Sequence, residues 1–463
     1  MLFLGVSEIY RFDALKAHKI HFIGIGGSGM YPLSQILYSE GYQITGSDNN
    51  PSPTVDAVRK MGIPVVLGHF PENIVDCELV VYTAALLEDN PELVTAKAKG
   101  IPTMTRAQLL GIVANSYEKA VGVCGTHGKT TSTSMLTEVF LKAGKDPSAV
   151  IGGKLASIGG SGRVGESEFM TCEADEFRDT FLNIYPAYSL ILNVDEDHLE
   201  YFKNLDNIIK SFAQFANQTK KMVIANGDDK NTLKAVEFCK TDVVLFGTTA
   251  GCRYQAKNII ENGPYFSYEF DIDGVTAGNI ELKIPGKHNV MNSLGVLAAA
   301  DQCGVELQAA IQAVNEFHGA GRRFEMIGKF NGFTLADDYA HNPTELAATI
   351  NAAKLTGHKR IIAVFQPVTF SRTKLMLDGL ADSLNMADQT ILLPIMGARE
   401  INTYGISSSD LAVKIKNCVL ADDFESAAKA IKENAEPDDL VMTFGCGDVY
   451  KVIPYLKELV IPD

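Results

Sequence analysis

Short apolar, β-branched runs alternate with helix-length stretches along almost the whole chain. That rhythm predicts parallel sheets joined by crossover helices, an α/β fold. In the first block, strands are expected at residues 21–25, 42–46 and 79–83, with a helix over 31–40. A second block opens on the apolar run 120–124 and continues into a helix over 132–142. It adds strands at 169–172, 189–194 and 222–225, a polar antiparallel stretch over 254–284, and an Ala- and Leu-rich helix over 286–303. A third block carries strands at 334–336, 361–365, 390–393 and 440–444. The expected domains are therefore 1–115, 116–318 and 319–463, and 463 residues fit three domains of ~150 each. No fixed-period repeat or low-complexity segment interrupts them.

Composition narrows the class. Hydrophobic residues make up 46% and charged residues 21%, a globular balance. Lys and Arg number 41 against 56 Asp and Glu, a formal net charge of -15. A net-acidic surface repels phosphate backbones, which argues against nucleic acid as a partner but not against a small anion in a local basic pocket. The eight cysteines are scattered, with neither C-x-x-C nor zinc spacing, which fits a reduced, cytoplasmic protein. No uncharged apolar run approaches ~18 residues, so no membrane span is expected. Residues 1–6 are too short for a signal-peptide core and lack a basic leader.

Three strand-like runs end in loops that open helices. Gly24-Ile-Gly26-Gly27-Ser28-Gly29 matches G-x-G-x-x-G between a strand and a helix. Glycines there allow backbone N–H groups to approach a diphosphate at a helix N-terminus, and Asp48, ending the next strand, can accept from sugar hydroxyls. A nicotinamide cofactor would suit this loop; so would a tight turn holding nothing. Gly125-Thr126-His127-Gly128-Lys129-Thr130-Thr131 follows the run 120–124. It is a shortened phosphate-binding loop, with Val123 where the longer motif has its first glycine. Lys129 should reach β- and γ-phosphates, and the Thr130 hydroxyl is placed to ligate magnesium. Two later strand ends offer further metal ligands: Glu173, in Glu173-Ala-Asp175-Glu176, and His198, in Asp195-Glu-Asp197-His198. Carboxylates at strand ends are otherwise ordinary solvated loop residues.

The remaining polar islands read two ways each. His288 and Asn292 lie i, i+4 on one helical face, where an imidazole can stack on a base and an amide read its edge, or where both simply serve a helix cap. Arg322-Arg323 suits a phosphate clamp or an interdomain salt bridge. Asp338, in Asp337-Asp338-Tyr339-Ala-His341, can hold ribose hydroxyls, and His341 can steer an amine. Arg372, after Gln366-Pro-Val368, can pair with a carboxylate.

Together these islands, with Gly445-Cys-Gly-Asp448, resemble the Mur ligases in content and order over nearly the whole chain. The resemblance implies Rossmann-like N- and C-terminal domains around a central P-loop ATPase-like domain with a smaller antiparallel part. It implies an ATP-dependent amide ligase of peptidoglycan precursor synthesis, of the branch that joins L-alanine to the carboxylate of UDP-N-acetylmuramate through an acyl phosphate. By that resemblance Gly26, Gly27, Ser28, Gly29, Asp48, His69 and Arg106 hold a UDP-sugar rather than NAD. Gly125 to Thr131, His288, Asn292, Arg323 and Asp338 hold ATP. Thr130, Glu173 and His198 hold magnesium, expected as a pair of ions. Lys129, Glu173, His198, His341 and Arg372 carry the chemistry. Closure of the third domain is expected before reaction, and the chain is expected to be a monomer or weak dimer.

Two departures bear on the amino acid. Members usually show His-His where this chain has His341-Asn342, and Gln-Pro-His where it has Gln366-Pro367-Val368. No lysine occupies the place where several members carry a carbamylated one, as expected of the alanine-adding branch. Three rivals follow: the same chemistry with another amino acid or a peptide, a nicotinamide-dependent oxidoreductase, and a non-catalytic nucleotide switch.

Overall fold

A computed structural model describes residues 12–83, 86–398 and 400–463; the opening segment 1–6 lies outside them. The described residues form an α/β fold with three sheets. The first is wholly parallel, in the order Val65–Leu67, Gln43–Asp48, Lys19–Ile23, Leu79–Tyr82, Thr103–Thr105. The order reverses direction beside Lys19–Ile23, so its C-terminal end is a topological switch point. The second sheet has ten strands. Its parallel centre runs Val243–Gly247, Met222–Asn226, Tyr188–Ile191, Lys119–Cys124, Phe169–Glu173, Ser148–Leu155. One edge continues into Tyr254–Asn262, Tyr265–Ile272 and Val275–Glu281. Asp273 and Gly274, both with positive φ, make the two-residue turn that joins the last two strands, so this polar stretch is antiparallel as its composition predicts.

The first sheet, the second sheet apart from residues 259–262, 265–267 and 281, and residues 290–317 belong to one compact unit. A continuous core of Phe22, Leu33, Val81, Leu110, Cys124, Phe181 and Phe212 joins them. The hairpin Ser148–Leu155/Gly160–Arg163 was not expected, because its glycines give no strand signal. Those glycines permit close approach instead. A Cβ on Gly162 would sit 2.7 Å from Pro32 Cα, on the helix Met30–Ser39.

The second unit comprises residues 259–267, 281–289 and 318–463. Its sheet runs Glu325–Phe330, Phe333–Asp338, Leu440–Phe444, Ile361–Phe365, Gln389–Leu392, Cys418–Leu420, parallel except at the first pair. Both faces are covered: Ile362, Val364 and Val441 pack on one side, Ile361, Ala363, Phe365 and Met442 on the other. That explains the unbroken apolar reading of 361–365, which alternation alone would not give. All eight cysteines are free thiols, and no helix among the described residues is long and apolar enough to cross a membrane.

Gly111 tests the packing within the first unit. Alanine in a helix interior normally gains ~1 kcal/mol over glycine. A Cβ on Gly111, in the helix Arg106–Asn115, would however lie 2.0 Å from the Asn183 carbonyl oxygen. Backbone must then shift, at ~1–3 kcal/mol. Gly111→Ala is expected to lower Tm by a few degrees in calorimetry; a raised Tm would show that the helix has room there.

Candidate active site

In all three sheets the motif residues follow the C-terminal ends of parallel strands, the edge at which doubly wound folds bind ligands. Local geometry decides what each can do there.

In the first sheet, the turn 24–29 closes through Gly27 N–H to Gly24 O (3.1 Å) and leads into the helix Met30–Ser39. Asp48 braces this loop: its Oδ2 accepts from Gly26 N–H at 2.9 Å. A side chain on Gly26 would meet that oxygen, so glycine is required by the close approach. His69 follows Val65–Leu67, and Arg106 follows Thr103–Thr105. A Cβ on Gly29 would lie 2.8 Å from an Arg106 guanidinium nitrogen, so the arginine stands over the end of the glycine loop. The Ser28 carbonyl accepts from Ser161 Oγ–H of the unexpected hairpin at 3.0 Å. The glycine loop, Asp48 and Arg106 thus form one cluster, with His69 on a neighbouring strand end.

In the second sheet, Gly125 (φ 145°) and Gly128 (φ 87°) adopt backbone that other residues rarely take. The helix after them spans Lys129–Lys142, three residues earlier than its apolar pattern predicts. Lys129, Thr130 and Thr131 therefore form its first turn, where N–H groups are directed out of the helix end. The loop is laced to the next strand end. Asn193 Oδ1 accepts from His127 N–H (2.8 Å) while its Nδ2 donates to His127 O (3.0 Å). Asp195 N–H donates to Thr126 Oγ1 at 2.9 Å. Asn292 is buried against the loop, its Oδ1 2.5 Å from where a Gly128 Cβ would be.

The Lys129 ammonium is nearly enclosed. It donates to the carbonyls of Gly125 (2.7 Å) and Thr126 (3.2 Å) and to both oxygens of Glu176 (3.0 and 2.8 Å). Burial works against its charge, but the carboxylates of Glu176, Asp175 and Glu173 outweigh that and hold it above the ordinary lysine range. In the sequence Glu176 is one member of an acidic run. Its position one strand over from the loop, invisible in linear spacing, makes it the lysine's counter-ion.

Glu173 Oε1 accepts from Gly152 N–H at 2.6 Å. His198 sits in left-handed backbone (φ 51°), a conformation costing of order 1–3 kcal/mol that surrounding structure must impose. Its ring lies 4.6 Å from that of Phe177. Among the described residues no group of three or more His, Cys, Asp or Glu forms a metal cage. The Thr130 hydroxyl, on the first helical turn, and the Glu173 carboxylate, at a strand end, are oxygen donors of the kind magnesium takes beside waters and phosphate oxygens; the His198 imidazole is the exception in this set.

In the second unit, the paired arginines separate in role. Arg322 is committed to structure: Nε meets Asp337 at 2.9 Å, and the guanidinium donates to the carbonyls of Gly445 (2.6 Å) and Gly447 (3.1 Å). Arg323 lies over the Tyr339 ring at 4.8 Å. Asp338 accepts from the backbone N–H of Phe324 (2.7 Å) and Ala340 (2.9 Å). Burial pushes its carboxyl up to about 6, against the pull of Arg323 and those N–H groups. His341 Nδ1 lies 3.2 Å from Glu345 Oε2. Asn342 caps the helix Pro343–Lys354 through Glu345 N–H (2.9 Å), a use for the residue that departs from the expected His-His. Arg372 lies in the helix Phe370–Leu375. Val368 forms an isolated bridge with Met396. His288 packs against Gly286, where a Cβ would be 2.5 Å from its ring.

Three family models match most of the chain. The Mur ligase family catalytic domain matches residues 19–118, the Mur ligase middle domain 123–300, and the Mur ligase glutamate ligase domain 322–447. The chain is 44% identical over 448 residues to the UDP-N-acetylmuramate–L-alanine ligase of Caldanaerobacter subterraneus subsp. tengcongensis, covering 95% of this chain and 97% of that one. It is 41% identical to the enzyme of the same name from Agathobacter rectalis, covering 96% and 98%. Among solved structures, UDP-N-acetylmuramate-alanine ligase MurC from Thermotoga maritima superposes with a TM-score of 0.81 at 27% identity, covering 95% and 99%.

The raised Asp338 carboxyl sets a pH dependence. A group whose folded value lies above its unfolded value stabilises the fold below about pH 4, and that contribution is lost as pH rises through about 6. The loss is worth roughly 3 kcal/mol. Denaturant unfolding of wild type and Asp338→Asn at pH 4 and pH 7 should show the wild type losing about that much relative to the variant. A difference that does not change with pH would show an ordinary carboxyl.

Proposed function

The chain belongs to the Mur ligase family, and we propose that it joins L-alanine to the carboxylate of UDP-N-acetylmuramate at the expense of ATP, a step of peptidoglycan precursor synthesis in the cytoplasm. The observation that carries this reading is the Lys129 loop: a charged, enclosed lysine at a helix N-terminus. It lies in the same compact unit as the Gly24–Gly29 loop and Arg106. The 40–44% identity to L-alanine-adding relatives supports the choice of amino acid.

In this mechanism the UDP-sugar lies along Gly26 to Gly29, with Asp48, His69 and Arg106 around it. Binding at that remote end positions the carboxylate. ATP lies with its phosphates on the Gly125–Thr131 turn, and Asn292, His288 and Asp338 serve the nucleoside. Lys129 passes from Glu176 to the β- and γ-phosphates, so an anion replaces an anion and the ammonium is never left buried alone. A carboxylate oxygen attacks the γ-phosphorus as ADP leaves, with Lys129 and Arg323 offsetting the charge on the transferring group. The neutral amine nitrogen, held near His341, attacks the acyl carbon; phosphate leaves with the former carboxylate oxygen and takes up the proton that the nitrogen loses in becoming an amide. Arg372 pairs with the carboxylate of the incoming amino acid. Thr130, Glu173 and His198 would hold magnesium, which would supply charge neutralisation of the phosphate oxygens.

The test is phosphate release with UDP-N-acetylmuramate, ATP and magnesium, compared across single amino acids and a peptide. L-alanine is expected to give the highest kcat/KM; a preference for peptide would move the chain to another branch, one that Val368 would help to explain. Lys129→Ala should abolish product while leaving a cooperative thermal transition, and near-wild-type turnover in that variant would remove the loop from the mechanism.

A further inference from the structure

Glu92 is a fully buried acid that the mechanism does not use. It lies in the first turn of the helix Pro91–Ala98, whose N-terminus favours a carboxylate. Burial opposes its charge, yet donors from His21, Ser47 and Asn73 outweigh burial and hold its carboxyl below the ordinary range. Oε1 accepts from Phe70 N–H (3.2 Å) and from the Asn73 side chain. Oε2 accepts from Ser47 Oγ–H at 2.6 Å and faces His21 Nε2 at 3.4 Å.

The serine then decides the state of a third residue. A hydroxyl has one proton, and a carboxylate can only accept. With that proton directed to Glu92, Ser47 Oγ meets His69 Nδ1 at 3.0 Å as an acceptor, so Nδ1 carries hydrogen. His69 Nδ1 is also 3.6 Å from Glu92 Oε2. Among the described residues the contacts of His69 run through Nδ1, and His69 follows a strand end on the ligand edge of the first sheet.

We infer that Glu92 is a positioning residue of the nucleotide-sugar pocket, acting through Ser47 to fix His69 in its Nδ1–H form and leave Nε2 as an acceptor for an N–H or O–H of the uridine. The inference rests on the reading of His69 as a UDP-sugar contact. An imidazole free to choose its tautomer would lose part of its time to the form that repels such a donor.

Glu92→Gln, Ser47→Ala and His69→Ala separate the possibilities. Glu92→Gln is expected to raise KM for UDP-N-acetylmuramate about tenfold, with kcat and KM for ATP within about twofold, and to remove the Nδ1–H signature of His69 in 15N-correlated NMR. Ser47→Ala, which leaves the buried charge in place, should raise the same KM by several-fold and keeps the test open if Glu92→Gln does not fold. If His69→Ala raises KM for the UDP-sugar while both other variants leave it unchanged, the relay is overturned and the pocket stands. If His69→Ala itself leaves that KM unchanged, the pocket reading fails, and the relay with it.

Discussion

A buried ammonium must have an anion. Left alone in the interior, Lys129 would cost several kcal/mol, more than most single contacts return. The fold answers with Glu176, delivered from the strand beside the phosphate loop, and with two carbonyls of the loop itself. That one requirement shapes the surroundings. The loop must curl so that Gly125 and Thr126 present carbonyls to Nζ, which needs glycine backbone at 125 and 128. The curl needs pinning from outside, which Asn193 and Asp195 supply. It also defines what the site accepts, because an incoming ligand must offer Lys129 negative charge as good as the carboxylate it displaces. Phosphate oxygens do so.

The same economy appears in the other sheets. Asp48 braces the first glycine loop and Asp338 ties a strand end to Phe324 and Ala340, so each has a task in the protein besides any task toward a ligand. Arg322 is anchored to Asp337 and the carbonyls of Gly445 and Gly447, a task inside the protein that fixes its guanidinium. Parallel sheets make this possible by collecting the ends of many strands on one edge, so residues far apart in sequence become neighbours.

Much of this was legible in the sequence, and the remainder fails for identifiable reasons. The strand 361–365 is apolar throughout, and 440–444 is apolar but for Thr443, because both faces are covered, and their runs are visible as such in the sequence. Loops at 24–29 and 125–131 carry glycines whose positive φ or close approach is a local property, readable from composition and spacing. The helix begins at Lys129, before its apolar period does, since polar Thr130 and Thr131 carry no such period. The hairpin 148–163 was missed because its glycines serve contacts with Pro32 and Glu173 that no linear pattern encodes. Glu176, Asn193 and Glu92 owe their importance to partners across a sheet, so only the fold reveals them. Asn342 looked like a loss against the family pattern and is a helix cap.

The most direct measurement follows an oxygen atom. If the phosphoryl group held by Lys129 passes to the sugar acid, then UDP-N-acetylmuramate labelled with 18O in both carboxylate positions must hand one label to inorganic phosphate in every turnover with L-alanine. Mass spectrometry of the released phosphate should find a single 18O per product formed. Product accompanied by unlabelled phosphate would contradict transfer to the carboxylate and, with it, the purpose assigned to the lysine.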